Sequence, residues 1–253
     1  MELLNWINLK NINWIGLSAN PNAIELLKKN QDKINWNLLS SNPNAIELLK
    51  KNPEKINWHR LSSNPNAIEL LKKNKDKIDW YWLSSNINAI DILKENKDKI
   101  DWYMLSINKN AIELLKKNPD KINWNQFSKN PNAIEILKRN PDKINWYSLT
   151  MNPNGFELIT LHKYKINLSI LSLNSNPDGI KIIKKYPMYI NWNYLSKNPN
   201  AIEILQVNQK KINWRNFSEN PSIFIKKDVL PIQSYFGTFK FEDLFINIFK
   251  YWI

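Results

Sequence analysis

Apolar and polar positions along the chain follow a pattern that returns every 22 residues. Residues 42–58 read NPNAIELLKKNPEKINW, and close copies stand at 20–36, 64–80 and 130–146. In this copy Ala45, Ile46, Leu48 and Leu49 fall at i, i+1, i+3 and i+4, which places them on one face of a helix. Asn42 is suited to cap the free N–H groups of that helix, and Pro43 to its first position, where a missing N–H costs nothing. Eight of the 13 prolines occupy this slot. Glu47 and Lys51 stand i, i+4 and can pair on the outer side. Lys50 and Lys51 complement the negative end of the helix dipole, and Asn52 suits a left-handed C-terminal cap. The pattern predicts a helix of about nine residues.

The second half of the unit is Lys55-Ile56-Asn57-Trp58-x-x-Leu61-Ser62. Position 57 becomes Asp at 79 and 101, an exchange that an N-cap tolerates. Trp58 and Leu61 then share one face of a short second helix, α or 3₁₀. The competing reading makes Lys-Ile-Asn-Trp a strand of a leucine-rich-repeat-like horseshoe. The Trp–x–x–Leu spacing and the preceding cap favour the helix.

The column of tryptophans fixes the register. Trp14, Trp36, Trp58, Trp80, Trp102, Trp124 and Trp146 are 22 residues apart. Leu168 holds the next slot, and Trp192 and Trp214 follow after a two-residue insertion at Ser175-Asn176. Ten units result, numbered here by these slots. Helices this short are marginal alone, so each unit must bury its apolar face against the next. The nine repeat tryptophans are the expected structural core. The expected architecture is all-α: an elongated α-solenoid over residues 1–221, irregular at 155–190. At about 8–10 Å between neighbouring helices, ten units would span on the order of 90 Å. Gly155 and Gly179 replace Ala in the irregular stretch, which predicts a local change of curvature.

The tandem unit resembles the 22-residue Asn-Pro/Trp repeats of uncharacterised giant DNA virus proteins, over roughly residues 11–221. More loosely, it is similar to the leucine-rich-repeat variant, which implies a right-handed solenoid of α and 3₁₀ helices. The period of 22 rather than 24 and the Trp depart from that variant. Neither resemblance implies an activity. The first implies a viral interaction protein in the host cytoplasm or virion, with a host or viral protein as partner.

Residues 222–253 leave the repeat. Within 238–253, TFKFEDLFINIFKYWI, the residues Phe241, Leu244, Phe245, Ile248, Phe249 and Trp252 follow the spacing of a strongly amphipathic helix. The expectation is a C-terminal helix that caps the open end of the solenoid. Self-association is the alternative. The mixed polar face of Lys240, Glu242, Asp243 and Lys250 argues against a membrane-surface anchor.

Composition narrows the function. Without Cys there is neither a disulfide framework nor a thiolate metal site. Four glycines are too few for a phosphate-cradling loop. His59 and His162 belong to distant units, and the carboxylates recur in solvated columns, so neither a catalytic pair nor a bound cofactor is expected. The start, MELLNWINLK, lacks the basic and apolar regions of a signal peptide, and no stretch approaches a membrane span. An intracellular, non-secreted, non-enzymatic protein is expected.

Two surfaces remain. Lys+Arg outnumber Asp+Glu by 36 to 23. Lys50, Lys51, Lys72, Lys73, Lys116 and Lys117 belong to a double ladder that could follow a phosphate backbone. The bland account is that each unit carries a net +1 and that Lys, Asn and Ile all have A+T-rich codons. The other surface is what does not repeat. The two residues after each Trp slot vary most, and between the Trp and Leu of a short helix both should face outward. They include His59, Arg60, Tyr81, Trp82, Tyr103, Met104, Tyr147 and Tyr194. Such residues supply interface hot spots, whereas drift at unconstrained positions is the alternative. A protein partner is expected here, centred on units three to five, with nucleic acid on the lysine ladders as the runner-up.

Overall fold

The computed structural model describes residues 1–162 and 165–226. The expected C-terminal helix lies outside the described residues. Within them the chain is an all-α repeat of short helices and 3₁₀ turns, with one two-residue strand pair.

Unit three shows the construction. The Trp helix runs Trp58–Ser62, and Asn57 caps it by accepting from the Arg60 N–H. The same cap recurs at Asn35, Asp79, Asp101, Asn123 and Asn145. The KINW segment is therefore a cap and a helix, as the Trp–x–x–Leu spacing requires, and the helix is α. A second helix, Ile68–Lys73, follows the Asn64-Pro65 turn. A 3₁₀ turn, Lys75–Lys77, then leads to the next Trp helix.

Three local expectations are corrected. The Ile helix has five or six residues rather than nine, because the Asn-Pro-Asn-Ala segment forms a turn or a 3₁₀ turn before it. Among the described residues only the irregular unit reaches nine, at Pro177–Lys185, where Asn176 caps the helix and Asn174 makes the ladder bonds. Asn52 is not left-handed: its φ is −136°, and its amide closes the helix end by donating to the Leu48 carbonyl at 3.0 Å. Glu47 pairs with Lys50 at i, i+3 (2.8 Å) rather than with Lys51.

Units are joined by buried polar groups. Each ladder asparagine donates both amide hydrogens backward, to a Ser (or Thr150) carbonyl and an Asn carbonyl of the unit before. Asn42 reaches Ser18 and Asn20, Asn64 reaches Ser40 and Asn42, and so on through Asn198 and Asn220. Its Oδ1 accepts from the N–H two residues on. All of these asparagines are at most 1 % exposed, so the hydrogen bonds fully replace lost water. A serine column adds a second link. Ser62 Oγ donates to the Trp58 carbonyl and accepts from the Asp79 N–H of the next unit.

The ladder has no end. Asn20 of unit one donates to the carbonyls of Ser218 and Asn220 of unit ten, at 3.0 and 2.8 Å. The Asn13 N–H meets Ser218 Oγ, and the Asn22 amide meets the Pro221 carbonyl. The Trp14–Ala19 helix packs on Trp214–Glu219 as its neighbours pack on one another. Where other units carry an Ile helix, the seam carries β1 (Glu2–Leu3) antiparallel to β2 (Phe224–Ile225). Gly16 makes this contact possible: a Cβ there would lie 2.2 Å from the Arg215 carbonyl oxygen.

The solenoid is therefore a closed ring, which corrects the expected elongation. Ten units share one turn, about 36° each. Units one and ten seal each other.

The two helix layers sit at different radii. Successive Trp helices pack closely side by side, except at the insertion between Leu168–Leu171 and Trp192–Lys197, whereas successive Ile helices approach each other less closely. Long side chains bridge the latter instead, as Lys138 to Glu157 and Lys184 to Glu203 do. The Trp helices thus form the inner wall and the Ile helices the outer one. Between the layers lie Ala45, Leu49 and Leu61 and their equivalents, at zero exposure. The tryptophans pack against this core without being its centre. They are half-buried, and the lysine of the following 3₁₀ turn covers the indole: Lys55 lies over Trp36 and Lys77 over Trp58, at 4.6 and 4.7 Å. Each such contact contributes about 0.5–1 kcal/mol.

Candidate interaction surface

The inner wall presents the variable residues, and the two post-Trp positions differ in role. The first is exposed. It carries Asn37, His59, Tyr81, Tyr103, Asn125, Tyr147, Asn193 and Arg215, with Tyr81 and Tyr103 each 42 % and Tyr147 49 % exposed. The second lies toward the neighbouring unit. Arg60, Trp82, Met104 and Tyr194 are half-buried, while Gln126 and Ser148 are buried. The expectation that both face outward is corrected: at 100° per residue only the first points away from the outer layer.

These side chains form a belt linked across units. The Arg60 guanidinium stacks over the Trp82 ring at 5.7 Å, and Tyr81 meets Trp82 edge to face at 5.3 Å. His59 Nδ1 pairs with the Asp79 carboxylate, which also caps the Trp80 helix. Ser148 Oγ donates to Asn125 Oδ1, and the Asn216 amide donates to the Asn193 carbonyl. Tyr81 and Trp82 of unit four and Tyr103 and Met104 of unit five thus place apolar side chains on adjacent units of the wall. Five units away, on the far side of the ring, lie Asn193, Arg215 and the Lys197–Glu219 pair at 2.7 Å. The sector of units four and five is the more apolar, and the opposite one, where Tyr194 is half-buried, the more polar.

The opening can be sized. Ten neighbouring helices about 8–10 Å apart place facing axes about 25–30 Å apart. Subtracting a helix's own width of about 10–12 Å leaves a lumen of about 15–20 Å.

The lysine ladders lie on the outer layer and are partly neutralised. Lys50, Lys72 and Lys116 each bind a glutamate three residues earlier, at 2.8, 3.1 and 2.8 Å. These lysines hold the carboxyls of Glu47 and Glu113 below the usual range through the hydrogen bond and the charge. Lys51, Lys73 and Lys117 are exposed. A groove between neighbouring Ile helices is lined by Ile78, Trp80 and Ile92 together with Lys72, Lys75, Lys99 and Glu95.

Among the described residues no group of His, Asp or Glu is placed to hold a metal ion. His162 lies 4.7 Å from the Trp146 ring and does not meet His59. Among the described residues no helix is long and apolar enough to cross a membrane. Comparisons of the chain with protein-family models, curated proteins and solved structures find no match.

Proposed function

We propose that the ring is a non-enzymatic binding module that holds a segment of a partner protein against its inner wall. The observation that carries this reading is the belt itself. The ladder and core positions recur from unit to unit, whereas the two post-Trp positions vary most. Of these the first is exposed on the inner wall, and it accumulates Tyr, His, Asn and Arg. Rigid aromatic side chains on a preorganised wall lose little entropy on binding. The resemblance of the unit to giant-virus repeats makes a viral adaptor, acting on a host or viral protein, the setting we infer.

The test is capture from lysate, with and without nuclease, by wild type and by Tyr81→Ser/Tyr103→Ser. Both positions are exposed, so melting should shift by no more than about 2 °C. A nuclease-resistant protein bound at least tenfold less by the variant supports the belt. Nuclease-sensitive material bound equally by both overturns it. That result would favour the second reading, nucleic acid along the outer lysines, for which the exposure of Lys51, Lys73 and Lys117 speaks. Such binding would weaken steeply with salt.

A further inference from the structure

We propose that one rim of the ring docks on an anionic membrane surface, with units seven to nine as its anchor. The chain passes from the inner to the outer layer through the Asn-Pro turns and returns through the 3₁₀ turns. In a closed ring the Asn-Pro turns therefore line one rim and the 3₁₀ turns line the other. This second rim also receives the last turns of the Ile helices, where the lysines stand.

Three consecutive units depart from the repeat on this rim. Leu161 and Val207 take the slot that holds exposed Lys51, Lys73 and Lys117 elsewhere. Met188 takes the slot of Asp32, Glu54 and Asp76, and Tyr189 that of Lys55 and Lys77 over their indoles. Met188, Val207 and Leu161 are 80, 79 and 71 % exposed, the three most exposed large apolar side chains among the described residues. Side chains so exposed add nothing to the core, and three in neighbouring units mark a contact surface.

Charge identifies what the surface meets. In the last helical turns and 3₁₀ turns of these units the described charges are Lys165, Lys184, Lys185, Lys210 and Lys211, with no Asp or Glu. The carboxylates nearer the starts of the same helices, Glu157, Asp178 and Glu203, are bound by Lys138, Lys181 and Lys184 at 3.4, 2.7 and 3.5 Å. Lys185 and Lys210 are exposed and pair with no carboxylate among the described residues. Protruding aliphatic side chains among lysines suit acyl chains beneath anionic headgroups. Tyr186 and Tyr189, both exposed, suit the headgroup level. A protein interface disfavours Lys, and a phosphate backbone offers Met, Val and Leu no apolar layer to enter.

The experiment is flotation of the full chain with vesicles of phosphatidylserine and phosphatidylcholine, and with vesicles of phosphatidylcholine alone. The anionic vesicles should bind at least about tenfold more, and salt should narrow the difference. Two variants install residues that other units already carry in the same slots, so the ring should melt unchanged. Leu161→Lys/Met188→Asp/Val207→Lys raises the net charge, yet it should bind at least about tenfold less, because the apolar anchor is gone. Lys185→Glu/Lys210→Asp should lose as much through charge. Tyr81→Ser/Tyr103→Ser should bind vesicles as wild type does, which separates this rim from the inner wall. Undiminished binding by the first variant would show charge alone at work and overturn the proposal. Equal binding to both kinds of vesicle would do the same, as would binding to neither. A duplex oligonucleotide retarded where vesicles are ignored would give the rim to nucleic acid instead.

Discussion

The ladder asparagine is the residue on which the repeat depends. Asn108 makes three hydrogen bonds in a dry interface: two from its amide, at 3.0 and 2.9 Å, and one to its Oδ1 at 3.0 Å. It also gives its own carbonyl to Asn130. Its amide presents two donors in the geometry that two neighbouring carbonyls demand. Asp would set a carboxylate against those carbonyls, and Ala would leave them bare. Asn108→Ala is expected to cost about 2–4 kcal/mol, the sum of lost bonds and of buried groups left unsatisfied. Denaturant unfolding measures it, with Asn110→Ala, in an exposed sister column, as the mild comparison. A loss below about 1 kcal/mol would mean that the ladder is ornamental. The sequence showed these asparagines as helix caps, which is half of their role. The link to the preceding unit was hidden, because a 22-residue repeat shows which residues recur and not which of them touch.

At the scale of the element, the irregular units separate two uses of glycine. Both Gly155 and Gly179 stand where other units have a buried Ala. At Gly155 a Cβ would lie 2.7 Å from Leu149 Cδ1 and 3.0 Å from its carbonyl oxygen. At Gly179, inside the Pro177–Lys185 helix, the nearest atoms are 3.5 Å away or more, an ordinary contact. Gly179→Ala should therefore stabilise, by about 0.5–1 kcal/mol of helix propensity. Gly155→Ala should destabilise by about 1–3 kcal/mol through crowding. Opposite shifts in thermal melting are the expected outcome, and shifts of the same sign would show that the two turns are equivalent. The helices themselves were legible from the sequence, because the cap residues and the i, i+3 pairs are local signals. Their lengths were less so: the Asn-Pro-Asn-Ala segment reads as a first helical turn, yet the ladder bonds of its asparagine hold it outside.

At the scale of the molecule, closure could not be read from the period. A repeat length of 22 fixes what each unit contains but leaves the rotation between units free, and only a rotation near 36° returns unit ten to unit one. The candidate site was legible as a column of variable residues, yet not as the wall of a lumen, since that requires the ring. One sequence signal for the closure did exist. The second post-Trp position holds Leu38, Arg60, Trp82 and Met104 in units two to five, and Gly16 in unit one alone. That slot holds a side chain in every other unit, from Ser148 to Trp82, and none where the Trp14–Ala19 helix meets Trp214–Glu219. Gly16→Leu installs the residue that unit two already uses, so on propensity alone it should be harmless. In the ring its Cβ would collide with the backbone carbonyl of Arg215, which no rotamer can relieve. The expected result is an open arc: a larger radius of gyration by small-angle scattering and loss of exchange protection at the Leu4 amide, which donates to the Ile223 carbonyl across the seam. The Asn108 amide, half a ring away, should stay protected, since each unit depends mainly on its neighbours. An unchanged radius with Leu4 still protected would mean that the seam tolerates a side chain and that Gly16 is not what closes the ring.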